Sequence, residues 1–303
     1  MSTGSPRNQT LSFLMRRFGE AGIHPRTKFG QNFLIDLNLV RLLVAAAELG
    51  PDDVVLEVGT GTGSLTAMMA PLAAAVITVE VDRDMLQLAS EDLAEFSNVV
   101  MIQRDALAGK NRFDPVILDE VARHLSTAAA RQLKLVANLP YNVATPILTN
   151  LLATDMPPRL MAVTIQRELA DRIVAQPSTK DYSALSVWIQ SQCRVEIVRT
   201  MPPSVFWPRP KVHSAIVRAT LDDGLRGRIA DRSYFHDFVR AMFFHRRKFL
   251  RSELLSAYKN RLTRPQVDDL LAGLGLGPQT RAEQLDVAAM LRLCDAARAV
   301  AGD

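Results

Sequence analysis

Short apolar runs that stop at a glycine, an acidic residue or an amide follow one another through the first 170 residues of the chain. The first covers residues 53–58 and stops at a glycine-rich loop, after which residues 64–70 have a helical pattern. Similar runs follow at residues 74–79, 98–103, 133–137 and 159–165. Helical segments separate them, with Asp82 as a cap for a helix through about Ala94 and a helical pattern at residues 166–175. This alternation predicts a parallel sheet covered by helices on both faces.

The pattern changes in the second half of the chain. Two β-rich runs, residues 193–200 and 212–220, are joined by a proline-rich connection and are predicted to pair as an antiparallel edge of the sheet. From Asp222 onward the pattern is helical, with candidate helices at residues 233–245, 248–258, 265–271 and 282–298. We therefore predict three parts: an N-terminal arm (1–27) with residues 1–10 disordered, a main domain (28–221) and a small all-helical domain (222–303).

The strand ends carry the candidate chemistry, because ligands of parallel sheets bind outside the carboxyl ends of the strands. Residues 59–63 read G-x-G-x-G before a helix, which allows backbone amides to approach a ligand. A nicotinamide-binding loop would have its third glycine one residue later, and Glu57 would lie beside its pyrophosphate. S-adenosylmethionine, which carries a sulfonium and an ammonium, tolerates that carboxylate.

Two further acids end the next strands. Glu80, 21 residues after Gly59, is placed to accept hydrogen bonds from both ribose hydroxyls, and Asp105 to accept from an adenine amine. Each acid alone is more readily explained as a helix cap or a solvated charge. Their succession, together with Glu57, favours a nucleoside-binding crevice.

Charge is distributed unevenly. The whole chain has 36 Lys and Arg against 32 Asp and Glu, but residues 209–264 have 14 basic and 5 acidic residues, so the remainder is net acidic. Such a basic region is typical of a protein with an anionic partner, although a solvated helix face is the alternative. Cys193 and Cys294 are isolated, which predicts neither a disulfide nor a metal site and fits the cytoplasm. No signal peptide or membrane span is predicted.

From about Thr27 to Leu285 the sequence resembles the ribosomal RNA adenine N6,N6-dimethyltransferase family, closest to its small-subunit branch. The matching motifs are Lys28–Leu34 (KFGQNFL), Leu56–Gly63 (LEVGTGTG), Glu80, Asp105–Leu107 (DAL), Asn138–Tyr141 (NLPY), Gln166–Glu168 with Arg172, Asp181–Val187, Pro202–Phe206, Pro210–Ala215 and Arg246–Lys248 (RRK). Thr60 and His245 depart from the usual Pro and Gln. The segment from Ala108 to Arg131 is longer than the family pattern, so its structure is left open.

The resemblance implies a Rossmann-like class I methyltransferase sheet of seven mostly parallel strands with an antiparallel edge, plus a small helical C-terminal domain. It implies S-adenosylmethionine as the cofactor and no metal. The residues that would bind the cofactor are Asn32, Leu34, Gly59, Gly61, Glu80, Asp105 and Asn138.

The segment Asn138–Tyr141 is the predicted catalytic motif. The Asn138 side-chain oxygen and the Leu139 carbonyl would accept from the exocyclic amine of adenine, and Pro140 would stiffen the turn. Tyr141 would stack on the base with Phe206 on its other face. An ordinary strand-ending turn, and a core position for Phe206, are the alternatives. Because the sulfonium is already a good leaving group, no catalytic histidine or metal is needed.

The predicted function is dimethylation of two adjacent adenosines in a hairpin loop of small-subunit (16S-type) ribosomal RNA during ribosome assembly. The predicted partner is the immature small subunit, bound by a monomer in the cytoplasm. The predicted RNA-binding residues are Arg209, Lys211, Arg246, Arg247, Lys248 and Arg251, with Gln31 and the arginines between Arg17 and Arg26 as an added arm. The alternatives are methylation of large-subunit RNA, methylation of DNA, and a binding factor whose methylation is incidental.

Overall fold

The computed structural model describes residues 11–26, 29–109, 112–245 and 247–302. The predicted disorder of residues 1–10 therefore lies outside the described residues. The chain divides into two compact units, the first of residues 1–170 and 196–220 and the second of residues 171–195 and 221–303. The units interleave along the chain, whereas the sequence predicted one change of domain at residue 222. A separate RNA-binding domain from that residue stays a prediction.

Helices and strands alternate through most of the chain. In chain order they are α1 (Leu11–Glu20), β1 (Phe33–Leu34), α2 (Leu37–Ala46), β2 (Asp53–Val58), α3 (Ser64–Met69), β3 (Ala75–Glu80), α4 (Arg83–Leu93), β4 (Val99–Gln103), β5 (Leu107–Gly109), β6 (Arg112–Phe113), α5 (Pro115–Leu125), β7 (Gln132–Asn138), α6 (Ala144–Ala153), β8 (Leu160–Gln166), α7 (Arg167–Val174), α8 (Ala184–Gln190), β9 (Cys193–Met201), β10 (Phe206–Trp207), β11 (Ser214–Leu221), α9 (Asp223–Arg226), α10 (Arg232–Met242), α11 (Leu250–Ala257), α12 (Arg264–Gly273) and α13 (Val287–Ala301).

Seven strands form the main sheet in the order β4-β3-β2-β7-β8-β11-β9. The first five are parallel, and β11 is antiparallel to β8. Every residue of β2 and β3 is buried, which explains why apolar residues predominate in both strands and do not alternate with polar ones. The predicted parallel sheet with an antiparallel edge is confirmed. From β2 the chain continues to β3 on one side of the sheet and later to β7 on the other, so the strand order reverses there. The carboxyl ends of β2, β3 and β7 therefore border one crevice.

The N-terminal arm contains a packed helix that the sequence patterns did not predict. Phe18 of α1 is buried, and its ring lies 5.3 Å from the rings of Phe33 and Trp207. Arg17 pairs with Asp92 of α4. These contacts join positions far apart in the sequence, which is why local periodicity alone did not reveal them.

The arginines of the described part of the arm are paired with acids of the protein. Arg26 donates to Asp84 Oδ2 at 2.7 Å and to Asp82 Oδ1 at 3.3 Å. Gln31 Nε2 donates to Asp82 Oδ2 at 3.1 Å. The arm is therefore attached to the start of α4, unlike the free phosphate-binding arm expected from the sequence.

The second unit is helical, as predicted. Trp188 of α8 is buried, with its ring centre 6.4 Å from that of Phe235 of α10. The Tyr182 hydroxyl donates to the carbonyl oxygen of Leu285 at 2.9 Å. These contacts explain why residues 171–195 group with the C-terminal helices.

One helix begins later than predicted, and the structure describes most of a segment that the sequence left open. The final helix was expected from residue 282 but begins at Val287, because the Asp286 side chain caps it by accepting from Ala289 N at 2.7 Å. Within the segment 108–131, α5 begins at Pro115 behind an Asp114 cap that accepts from Val116 N at 2.8 Å.

Candidate active site

A cavity of about 340 Å³ lies at the carboxyl ends of β2, β3 and β7. This volume is in the range of small-molecule sites. The structure brings together all seven residues predicted to bind the cofactor, and Leu139 and Pro140 also border the cavity. The seven are Asn32, Leu34, Gly59, Gly61, Glu80, Asp105 and Asn138.

The glycine loop lies close to its neighbours in a backbone conformation that other residues rarely adopt. Gly59 and Gly61 have φ values of +89° and +53°. A Cβ on Gly61 would lie 3.2 Å from the Phe33 ring, and one on Gly59 would lie 3.6 Å from Pro140. The loop after β2 therefore fits between β1 and the turn after β7, and the two glycines allow that approach.

Glu80 at the end of β3 is held by backbone amides. Its Oε1 accepts from Asp82 N at 2.9 Å and its Oε2 from Gly61 N at 3.1 Å. The side chain is buried, and burial raises its pKa above the usual range. Each oxygen keeps a lone pair, so the carboxyl is a fixed acceptor on the cavity wall.

Glu57 is a cavity residue that the sequence analysis noted but did not assign to the cofactor. It is 1% exposed, and its Oε2 accepts from Thr66 Oγ1 at 2.5 Å and from Thr78 Oγ1 at 2.7 Å. Its Oε1 is buried and has no hydrogen-bond partner among the described residues. Burial raises the pKa of this carboxyl to about 8. An unpartnered buried oxygen at a cavity wall suits a hydrogen-bonding ligand group, and its position two residues before Gly59 is the sequence signal.

The turn after β7 presents Asn138 and Leu139. Asn138 Nδ2 donates to the carbonyl oxygen of Asn32 at 2.8 Å, and Leu139 N donates to Thr164 O at 3.1 Å. Within the described part of the chain no group donates to Asn138 Oδ1 or to the Leu139 carbonyl oxygen. Two acceptors are thus available beside the cavity, and Pro140, which has no N–H, follows them directly.

The two aromatic residues predicted to stack on a base differ in exposure. Tyr141 is half-buried, and its hydroxyl lies 2.5 Å from Ser214 Oγ of β11. Burial raises the pKa of Tyr141, so its hydroxyl stays neutral. Phe206 is 2% exposed and packs in the core that includes Leu34, its partner across the β1–β10 pair. Phe206 thus occupies the core position that was the alternative, and stacking on a base would require it to leave that core.

Asp105 borders the cavity in a different setting. It is exposed, and its Oδ1 accepts from Leu107 N at 2.9 Å. The neighbouring Arg104, which sequence reasoning did not include, also borders the cavity and pairs with Asp114 at 3.3 Å. Two further polar residues border the cavity: Gln31, which was predicted to belong to an RNA-binding arm, and Asn142, which has no distinctive sequence signal.

The predicted RNA-binding residues fall in both units. Arg209 and Lys211 are exposed in the first, and Arg247 and Lys248 in the second. Arg246 lies outside the described residues. Arg251 differs, because its Nε lies 2.5 Å from Asp268 Oδ1 and its charge is balanced there. The free cation expected of Arg251 is therefore not present in this arrangement.

No group of three or more His, Cys, Asp and Glu side chains among the described residues is placed to hold a metal ion. None of the described helices is both long and apolar enough to cross a membrane. Cys193 and Cys294 are buried, and burial raises the pKa of each thiol to about 12.

Comparison with known proteins gives concordant matches. Residues 23–298 match the family model described as ribosomal RNA adenine dimethylase. The chain is 38% identical to ribosomal RNA small subunit methyltransferase A of Pediococcus pentosaceus, over 90% of this chain and 89% of that protein. It is 39% identical to the protein of the same name from Moorella thermoacetica, over 88% and 90%.

Two solved structures share the fold. One is a dimethyladenosine transferase from Plasmodium falciparum, with a TM-score of 0.68 and 23% identity over 85% of this chain and 94% of that one. The other is the 23S rRNA methyltransferase ErmE, with a TM-score of 0.58 and 24% identity over 87% and 98%. At these identities the likeness concerns the fold.

Proposed function

Because the chain belongs to the ribosomal RNA adenine dimethylase family, we propose that its cavity binds S-adenosylmethionine and that the turn Asn138–Tyr141 presents the target adenine. The enzyme dimethylates ribosomal RNA adenine and uses S-adenosylmethionine. The specific substrate we propose is a pair of adjacent adenosines in a hairpin loop of small-subunit RNA, within an immature subunit. A monomeric state and a cytoplasmic location stay predictions.

The cavity residues suit this cofactor. When bound, S-adenosylmethionine supplies an activated methyl group and a sulfur leaving group. Glu80 offers a fixed carboxyl acceptor for ribose hydroxyls, and Asp105 an exposed acceptor for the adenine amine. The unpartnered Oε1 of Glu57 provides one more hydrogen-bonding atom for a polar group of the ligand.

One observation carries the catalytic proposal: the hydrogen bond from Asn138 Nδ2 to Asn32 O. An amide has one donor end and one acceptor end, so fixing the nitrogen leaves Oδ1 as an acceptor. With the Leu139 carbonyl it can accept both N–H bonds of an adenine amine. Such contacts raise electron density on that nitrogen and direct its lone pair.

The remaining residues of the turn position the base. Pro140 restricts the backbone beside the Leu139 carbonyl, and Tyr141 stacks on the ring. A base paired inside a helix cannot reach such a pocket, so the adenosine must be unpaired or flipped out. After the first methyl transfer one N–H remains, so one of the two acceptors must suffice for the second.

The test uses purified protein and tritiated S-adenosylmethionine with three substrates: unmethylated small subunits, naked large-subunit RNA, and DNA. The expected product is N6,N6-dimethyladenosine from small subunits alone. Product from large-subunit RNA or DNA alone would instead favour the corresponding alternative. The Asn138→Ala variant separates catalysis from binding, since a pure binding factor would be unaffected by it.

A further inference from the structure

The loop between α10 and α11, residues 243–249, exposes an aromatic side chain within the basic region. Phe244 is 78% exposed, whereas the other exposed large hydrophobic residues of the described chain range from 37% to 53%. A phenyl ring in this position contributes little to a core. His245, Arg247, Lys248 and Phe249 of the same loop are also exposed.

Contacts within the second unit hold Phe244, His245 and Lys248 of this loop. Phe244 N donates to Ala241 O at 3.2 Å, and Lys248 N donates to His245 O at 2.8 Å. The His245 ring lies edge-on to the Phe244 ring at 4.7 Å, and its Nδ1 is 3.4 Å from Oε1 of the buried Glu253. The loop is therefore anchored through His245, and the Phe244 ring is held outward.

The positive charges of Arg247 and Lys248 in this loop are not compensated by acidic groups of the described residues. Among the described residues no acidic group lies within ion-pairing distance of Arg247 or Lys248, whereas Arg251 of the next helix pairs with Asp268. Two free cations in the same loop as an exposed ring match the composition of surfaces that bind single-stranded nucleic acid. The cations contact phosphates and the ring stacks on a base.

We propose that Phe244 stacks on an unpaired base of the ribosomal RNA substrate while Arg247 and Lys248 contact its phosphates. This inference rests on the proposed function, since that function supplies the RNA. The contact belongs to the second unit and is separate from the turn Asn138–Tyr141. It makes the loop selective for RNA with an unstacked base over continuous duplex, because paired bases offer no free face.

The test measures affinity of the full chain for two RNAs: a hairpin with an unpaired loop and a fully paired duplex of the same stem sequence. Phe244→Ala should weaken hairpin binding by about 5- to 150-fold and leave duplex binding unchanged. Phe244→Trp should restore hairpin affinity. The matched control is Val300→Ala, an exposed apolar residue of α13 in the same unit, which should change neither affinity.

Salt dependence separates stacking from charge. Phe244→Ala should leave the slope of log affinity against log salt unchanged, because stacking releases no counterions. Arg247→Ala and Lys248→Ala should each reduce that slope by about 0.7 to 0.9. Equal weakening on hairpin and duplex, or no weakening, would overturn the proposal. The proposal would also be overturned if Phe244→Ala lost binding to anionic lipid vesicles while its RNA affinity stayed unchanged, because that result would identify a membrane contact.

Methyl transfer distinguishes this inference from the proposed function. At saturating RNA, Phe244→Ala should keep the wild-type kcat, since the turn Asn138–Tyr141 is intact, while KM for RNA rises. If wild-type protein yields no dimethyladenosine, the proposed function fails even where Phe244 supports RNA binding. If methyl transfer occurs and Phe244→Ala binds the hairpin as tightly as wild type, only this inference fails.

Discussion

Asn138 Nδ2 and the carbonyl oxygen of Asn32, 106 positions apart in the sequence, are joined by a hydrogen bond of 2.8 Å. The bond ties the end of β7 to the segment before β1 and sets the rotation of the Asn138 amide. The other end of that amide, Asn138 Oδ1, is then free to accept a hydrogen bond from a substrate amine. The orientation of the catalytic side chain thus depends on the N-terminal segment.

Replacing Asn138 should stop the chemistry but not RNA binding. Asn138→Ala removes one prearranged acceptor, for which a loss of about 10²- to 10³-fold in kcat is expected. Asn138→Asp should lower kcat by a similar factor, because an aspartate side chain cannot donate a hydrogen bond to Asn32 O and so loses its fixed orientation. Single-turnover rates with tritiated cofactor measure the loss, and binding of labelled RNA gives the control. Wild-type rates in Asn138→Ala would exclude the proposed role.

Tyr141 should act through its ring rather than its hydroxyl. Tyr141→Ala is expected to lower kcat/KM by about 5- to 150-fold through lost stacking, whereas Tyr141→Phe should stay near wild type. Ser214→Ala removes the hydroxyl's partner without touching the ring and serves as the matched control. Steady-state kinetics with RNA as the varied substrate check this. A Tyr141→Phe defect as large as that of Tyr141→Ala would assign the role to the hydroxyl.

Glu80 should affect cofactor binding more than chemistry. Its carboxyl accepts from Gly61 N and Asp82 N, and an amide has only one acceptor oxygen, so Glu80→Gln sets an NH2 group against one of these donors and should weaken S-adenosylmethionine binding by about 5- to 150-fold. Calorimetric titration with the cofactor measures this. Glu95→Gln, an exposed acid that does not border the cavity, is the control. An unchanged dissociation constant for Glu80→Gln would remove Glu80 from the site.

Glu57 should make folding stability depend on pH. In the folded protein it keeps its proton up to about pH 8, whereas its ordinary pKa is 4.5. Its contribution is therefore fully present below about pH 4.5 and is lost as pH rises through about 8. Over that interval the free energy of unfolding of wild type should fall relative to Glu57→Gln, by a few kcal/mol at most, on the order of 1.36 kcal/mol per pKa unit.

Denaturant unfolding of the two proteins at a series of pH values provides the measurement. Glu80, whose pKa is also raised, is present in both proteins, so the effect of its own burial cancels, and the difference reports Glu57 together with its repulsion by Glu80. A difference that is constant with pH would contradict the buried, proton-binding state of Glu57.

The sequence by itself determined the sheet and the outline of the cavity. Strands buried on both faces are rich in apolar residues along their whole length, so β2 was predicted with its observed bounds, Asp53–Val58. Asp82 caps α4 as expected, because its side chain accepts from Asp84 N two residues later. Parallel strands end on one side of a sheet, so Glu80, Asp105 and Asn138 converge wherever such a sheet forms.

Only the tertiary structure decided which of the predicted aromatic and basic side chains are available to contact RNA. Phe206 is buried, Arg251 is paired with Asp268, and Arg26 is paired with acids of α4. The partners lie on other elements, and local periodicity contains no information about them. Phe206, for example, pairs with Leu34, which lies 172 positions earlier in the sequence. Whether a charge or a ring is free depends on what packs against it, and that depends on the whole fold.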